Sequence, residues 1–171
     1  AFSVIDSSHQ SVTMKIDLGE RFGFAGSVQQ TISISNDTID FVLTLSTDAE
    51  RMPGQVGWHP WFARPCRIET DFAQMYVRDS DGIPSGEVVS PPAGPYDDCF
   101  TGARKPPKII FDESITVQID SDCSHWVVYD QPEHAICVEP QSGPPDGFNL
   151  APFIITRDKP LSRFMRLTIT K

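Results

Sequence analysis

No stretch of this sequence is long and apolar enough to span a membrane as a helix, and its N-terminus lacks the charged-then-apolar layout of a signal peptide. The expected setting is soluble and cytoplasmic. Basic residues are sparse: 14 Lys and Arg against 23 Asp and Glu leave a net charge of −9. Nucleic-acid binding is driven by phosphate neutralisation, so without a basic stripe a polyanion partner is excluded, while a neutral ligand is not. Cysteine is sparse too. Cys66, Cys99, Cys123 and Cys137 make no Cys-x-x-Cys, and no His stands at zinc-ligand spacing. Two disulfides are arithmetically open, but the chain is not a small stapled scaffold, so free buried thiols in a reducing compartment are expected. In that compartment the sequon Asn36-Asp37-Thr38 is inert. A sustained helical period is also missing.

What the chain does have is punctuation. Fifteen Pro and eleven Gly are spread along 171 residues, enough length for one domain with a real core. Between them run short alternating stretches: Val12, Met14, Ile16 and Leu18; Val28 to Ser35; Phe41, Leu43 and Leu45; Ala73 to Arg78; Ile115, Val117 and Ile119; His125 to Tyr129; Met165, Leu167 and Ile169. Period-two alternation of this kind marks half-buried strands. Asn36-Asp37 between two such runs predicts an antiparallel hairpin. Residues 19–26 read as an aromatic-bearing turn, Met52-Pro53-Gly54 as the end of regular structure, Asp79 to Gly82 as a turn, and 84–95 as a Pro-rich loop. The fold class that follows is all-β, an antiparallel sandwich or barrel, with sites in loops and on a concave sheet face.

Three segments carry candidate chemistry. Gly57-Trp-His-Pro-Trp-Phe62 frames His59 with aromatics, either a core plug or a sugar-facing cup with a proton donor. In Tyr96-Asp97-Asp98-Cys99-Phe100, adjacent acids at a loop end read as a turn cap, a metal pair or an acceptor for hydroxyls; metal is the weakest of these, since no further carboxylates stand at calcium-loop spacing. Ile136-Cys-Val-Glu139 is an apolar strand ending in a carboxylate, with Pro140 breaking the strand and Pro144, Pro145 and Gly147 stiffening the loop beyond. Glu139 is either an ordinary strand-end Glu or a base held still by that loop. His59 and Glu139, on opposite sides of one pocket, would make a general acid–base pair.

These segments resemble, in order and rough spacing, three motifs of the aldose 1-epimerase (galactose mutarotase) family. GWHPWF is similar to its Gly-x-His-Pro-Tyr-Phe segment, YDDCF to its loop bearing a substrate-binding Asp, and CVEPQSGPPDGFN to its Glu-x-Gln-x-x-Pro-Asp-x-x-Asn segment. The resemblance implies a galactose-mutarotase-like β-sandwich that interconverts the anomers of a free hexose, an isomerase needing no cofactor and no metal. It implies Glu139 as general base for the C1 hydroxyl, His59 as acid for the ring oxygen, Asp97 as hydroxyl acceptor, and Trp61 as lining for the sugar face.

The resemblance has gaps. The family's second active-site His and its substrate-contacting Arg precede anything in this chain, and His9, His125 and His134 match no motif. The segment between Gln131-Pro132 and Glu139 looks shorter than in the family. The expectation is therefore a single domain segment over residues 1–171, the C-terminal part of a longer sandwich, which by itself can be inactive. Its unpaired edges should favour self-association or pairing with the missing N-terminal segment. Other readings stay open: a non-catalytic sugar-binding sandwich, or a hexose-6-phosphate 1-epimerase with Arg51, Arg64, Arg67 and Arg104 as phosphate candidates. A glycosidase using Asp97 and Glu139 ranks last, since it leaves His59 without a task.

Overall fold

The computed structural model describes residues 1–19, 22–111 and 114–171. In chain order the strands are β1 (Ser3–Ser7), β2 (Ser11–Asp17), β3 (Gly26–Ser35), β4 (Thr38–Thr47), β5 (Met52–Pro53), β6 (Trp61–Ala63), β7 (Arg67–Glu69) and β8 (Phe72–Arg78). They continue as β9 (Pro84–Val89), β10 (Asp97–Ala103), β11 (Lys108–Ile110), β12 (Thr116–Ser121), β13 (His125–Tyr129) and β14 (Ala135–Gln141). A single helical turn, α1 (Gly147–Leu150), precedes β15 (Ile154–Ile155) and β16 (Leu161–Thr170).

The strands form an antiparallel sandwich. An eight-stranded sheet has the order β1-β2-β3-β4-β16-β12-β11-β7, a six-stranded sheet the order β6-β14-β13-β10-β8-β9, and β15-β5 forms a small third sheet. Alternation decides which side chains enter the core, because successive residues of a strand face opposite ways. From the six-stranded sheet come Phe62, Phe72, Phe100, Trp126, Val128, Ile136 and Val138; from the larger sheet come Ile109, Val117, Ile119 and Met165. A second cluster of Leu43, Leu45, Met52, Val56, Ile155 and Leu161 lies around the small sheet, and Trp58 packs against both clusters. All four cysteines are free; Cys99, Cys123 and Cys137 are buried and Cys66 is half-buried. No helix among the described residues is long and apolar enough to cross a membrane.

The Asn36-Asp37 hairpin is present, with Ser35 paired to Thr38 and Asn36 at φ 40°. The Asp79 turn is present too, its carboxylate accepting the Asp81 and Ile83 amides. Three expectations change. Met52-Pro53 does not end regular structure but pairs with Ile154-Ile155, a partner a hundred residues away that no local signal announces. Residues 84–89 are a strand, with Pro84 as first residue of the sheet's edge strand, where its missing N–H costs no ladder bond. Pro140 does not break its strand: β14 runs on to Gln141. The Pro140 carbonyl accepts from the Trp58 N–H. Its nitrogen therefore lies on the same side, beyond the stretch where β6 pairs with β14, so the ladder to β13 loses nothing. Of the expected aromatic turn, residues 20 and 21 lie outside the described residues. The large sheet ends at β1, whose five residues are all exposed, with Phe2, Val4 and Ile5 presenting apolar surface beside it.

Candidate active site

Glu139 and His59 are brought together by one run of antiparallel register. Gly57 bridges to Gln141, and Trp61, Phe62 and Ala63 pair with Cys137, Ile136 and Ala135. Residues 57–63 thus run along β14 in constant register, and His59 falls opposite Glu139. The segment ahead of it is stapled to the loop after β14. Gln55 donates its side-chain amide to the Gly143 and Pro144 carbonyls, and Val56 and Ser142 exchange hydrogen bonds. Gly57 is required by the close approach: a Cβ there would stand 2.9 Å from the Pro140 carbonyl oxygen and 2.9 Å from Gln141 Cγ.

Alternation puts Ile136, Val138 and Pro140 on the core side of β14 and Cys137, Glu139 and Gln141 on the other. Across the neighbouring strands, Asp97, Tyr129, Cys137 and Trp61 form one cross-strand row, and Cys99, Val127 and Glu139 the next. On this outer face the carboxylate of Glu139 is nevertheless 96% shielded, while the His59 side chain is 58% exposed. His59 Nε2 stands 3.1 Å from Glu139 Oε1. Gln141 donates its Nε2–H to Glu139 Oε2 at 3.3 Å. Cys137 Sγ lies 3.5 Å from His59 Nδ1.

The electrostatics follow from burial. Shielding from water raises the Glu139 carboxyl above its ordinary range, outweighing His59 and the hydrogen bonds from Gln141 and Cys137, which pull it down; Asp97 adds to the rise. Shielding also pushes the Cys137 thiol up to about 12, helped by the neighbouring carboxylate. The thiol therefore keeps its proton.

His59 and Glu139 therefore touch, rather than facing each other across a pocket as expected. Both line a cavity of about 710 Å³ that also includes Gln55, Trp58, Gln141, Phe148 and Asn149. Among the described residues the indole N–H of Trp58 is buried without a partner.

Asp97 and Trp61 are not among the residues lining this cavity. Asp97 is the first residue of β10 rather than a loop end, and Arg78 holds both it and Asp98, at 3.3 and 3.0 Å. Trp61, half-exposed, stacks with the His59 and His134 rings at centroid distances of 5.4 and 6.1 Å and meets Tyr129 in an edge contact. Sequence reasoning missed Trp58, Gln141 and Cys137 as individual site residues. Gln141 and Cys137 stand two positions either side of Glu139, and period-two alternation was the signal that could have found them.

No family model and no curated protein matches the sequence. Solved structures do match in fold. A galactose mutarotase-like protein from Clostridium acetobutylicum superposes with a TM-score of 0.83 at 16% identity, over 99% of this chain and 66% of its own. A candidate aldose 1-epimerase from Escherichia coli K12 gives 0.81 at 15% identity, over 98% of this chain and 68% of its own. A galactose mutarotase-like protein from Lactobacillus casei gives 0.76 at 14% identity, over 99% and 72%. At such identities the likeness is one of fold: this chain is a galactose-mutarotase-like antiparallel β-sandwich that spans about two thirds of the length of these structures.

Proposed function

We propose that the protein is an aldose 1-epimerase, an isomerase that interconverts the α and β anomers of a free hexose. The observation that carries this reading is the direct contact of a half-exposed imidazole with a shielded carboxylate at the wall of a sugar-sized cavity. In the mechanism, ionised Glu139 takes the proton of the C1 hydroxyl while protonated His59 gives one to the ring oxygen. The C1–O5 bond breaks, the open-chain aldehyde turns about C1–C2, and the ring closes on the other face. On closure Glu139 returns its proton to the carbonyl oxygen and His59 takes one from the C5 hydroxyl. The raised carboxyl of Glu139 makes it a stronger base than a surface Glu, which suits a step run near neutral pH. No cofactor enters this scheme.

Gln141 and Asn149, which line the cavity, supply polar contacts for sugar hydroxyls. Trp61 holds the His59 ring and borders the sugar at its edge, and Asp97, ordered by Arg78, accepts from a hydroxyl reaching along the sheet face. Among the described residues no Lys or Arg lines the cavity, which favours a neutral hexose over a phosphorylated one. Three of the four Arg candidates for a phosphate are engaged elsewhere: Arg64 on the Asp130 and Pro132 carbonyls, Arg67 on Glu69, Arg104 on Asp71. The exposed edge at β1 is where a strand from a second copy, or from chain outside these residues, would add.

The test is polarimetry, or NMR of the anomeric protons, on freshly dissolved α-D-glucose and α-D-galactose. Acceleration of the approach to equilibrium, lost in His59→Gln, supports the reading. Sugar binding with no acceleration, by this chain and by any longer form of it, would instead mark a binding module.

A further inference from the structure

Among the described residues one place brings three metal-ligating groups together: His59, Cys137 and Glu139, whose ligand atoms lie within 4.8 Å of one another. We propose that these three side chains form a binding site for a borderline-soft divalent cation of the zinc class, which closes the cavity to its organic ligand when occupied. The site's formation does not depend on the epimerase reading; the consequence that it would inhibit turnover does.

The donor set argues for the class of ion. One imidazole, one sulfur and one carboxylate are the ligand types zinc takes, whereas magnesium and calcium favour oxygen throughout. At zinc bond lengths the ligand atoms of a tetrahedral site stand roughly 3.5 Å apart. His59 Nδ1 is already 3.5 Å from Cys137 Sγ, and His59 Nε2 is 3.1 Å from Glu139 Oε1. A ring offers one nitrogen to one ion, so occupancy requires the imidazole to turn. It is the half-exposed member of the three, while Cys137 and Glu139 are fixed in β14 and shielded from water. Three protein ligands leave a fourth position open toward the cavity, the arrangement of an accessible rather than a closed zinc site.

Charge also balances. A thiolate and a carboxylate bring two negative charges to a dication, whose attraction offsets the cost of holding them away from water. Binding releases the Cys137 thiol proton, and any proton on Glu139 or His59, to solvent. The ion would occupy the position between the imidazole and the carboxylate that the anomeric centre needs, so sugar and metal compete.

The experiment is titration of the untagged full chain with Co²⁺, read by tetrahedral d–d absorption and the thiolate-to-cobalt charge-transfer band, followed by displacement with Zn²⁺. The expected result is saturation at one equivalent, loss of the charge-transfer band in Cys137→Ala, and at least tenfold weaker binding in Cys137→Ala and in His59→Ala. The His59 side chain is half-exposed, so that second variant tests the site even if the buried Cys137 substitution fails to fold. Binding that does not saturate at one equivalent, or that survives His59→Ala unchanged, would overturn the proposal. The readout needs no turnover, so absence of epimerase activity leaves it decisive, and an active enzyme that takes no Co²⁺ refutes the metal site alone.

Discussion

Replacing Glu139 by Gln should cost activity far more than stability. Gln is nearly isosteric and keeps an oxygen for the His59 Nε2–H, but it cannot take a proton. If Glu139 is the general base, turnover falls by about 10²- to 10⁴-fold while sugar binding persists. The effect on stability follows from burial. The residue is 3% exposed and the ionisation of its carboxyl is displaced upward, so between its ordinary range near 4.5 and its raised value the folded state binds more protons than the unfolded state. Stability is therefore lost as pH rises through that window. A neutral Gln is free of that cost. Against it stands the exchange of charge-assisted hydrogen bonds, about 1.5–3 kcal/mol each, for neutral ones of about 0.5–1.5. Gln141 can flip its amide to stay paired with the new side chain. These terms nearly cancel at neutral pH, and about 1 kcal/mol corresponds to about 2–4 °C in a chain of this size. The variant should melt within about 4 °C of the parent at pH 7, with the parent gaining on it as pH is lowered toward 4. Calorimetry across pH, beside polarimetry and a sugar-binding titration, reads all three. A variant that melts ten degrees lower at pH 7, with the difference shrinking on acidification, would show that Glu139 is an ion-pair anchor and sink the argument for a destabilised base.

Gly57→Ala should cost about 1–3 kcal/mol in chemical denaturation, because its Cβ meets backbone and side chain of β14 at 2.9 Å, and turnover should fall further than stability because His59 shifts with the segment. A variant as active as the parent would refute the register argument. Ile136→Ala, on a side chain 1% exposed between the sheets, should cost about 2–5 kcal/mol; a loss under 1 would mean the core is not formed as described. His125 is shielded between the Tyr76 hydroxyl at 3.1 Å and the Ser124 hydroxyl at 2.9 Å, with Gln141 opposite on β14, and burial lowers its pKa. Below about 6.5 the unfolded chain takes the proton first, so stability falls as pH drops through that value. His125→Asn should flatten this part of the melting-temperature profile, and an unchanged slope would assign it to other groups.

Much of the fold was legible because its signals are local. Alternation from Val28 to Ser35 and from Phe41 to Leu45 around Asn36-Asp37 dictates a hairpin whatever the rest of the chain does, since each residue's facing is set by its neighbours two away. The motif around Glu139 and the aromatic frame of His59 were visible for the same reason: short, dense and punctuated by Pro and Gly. Pairing at a distance was not. Nothing near Met52 announces Ile155, and nothing near Pro140 says on which side its nitrogen lies. That side depends on which strand is its neighbour, and there it decided between a broken strand and a continuous one.

The residue types available for the chemistry, a His, a Glu and a Cys with aromatic cover, were determined by the sequence alone. Whether they meet was decided by the register of residues 57–63 on β14, which sets His59 opposite Glu139. The same register left Asp97 two strands away in the hands of Arg78 and set Trp61 beside the His59 and His134 imidazoles. Burial completed the site, since only the packed sandwich withdraws water from Glu139 and so raises its basicity. Contact order and dielectric are properties of the assembled sheets, and no stretch of the chain carries them.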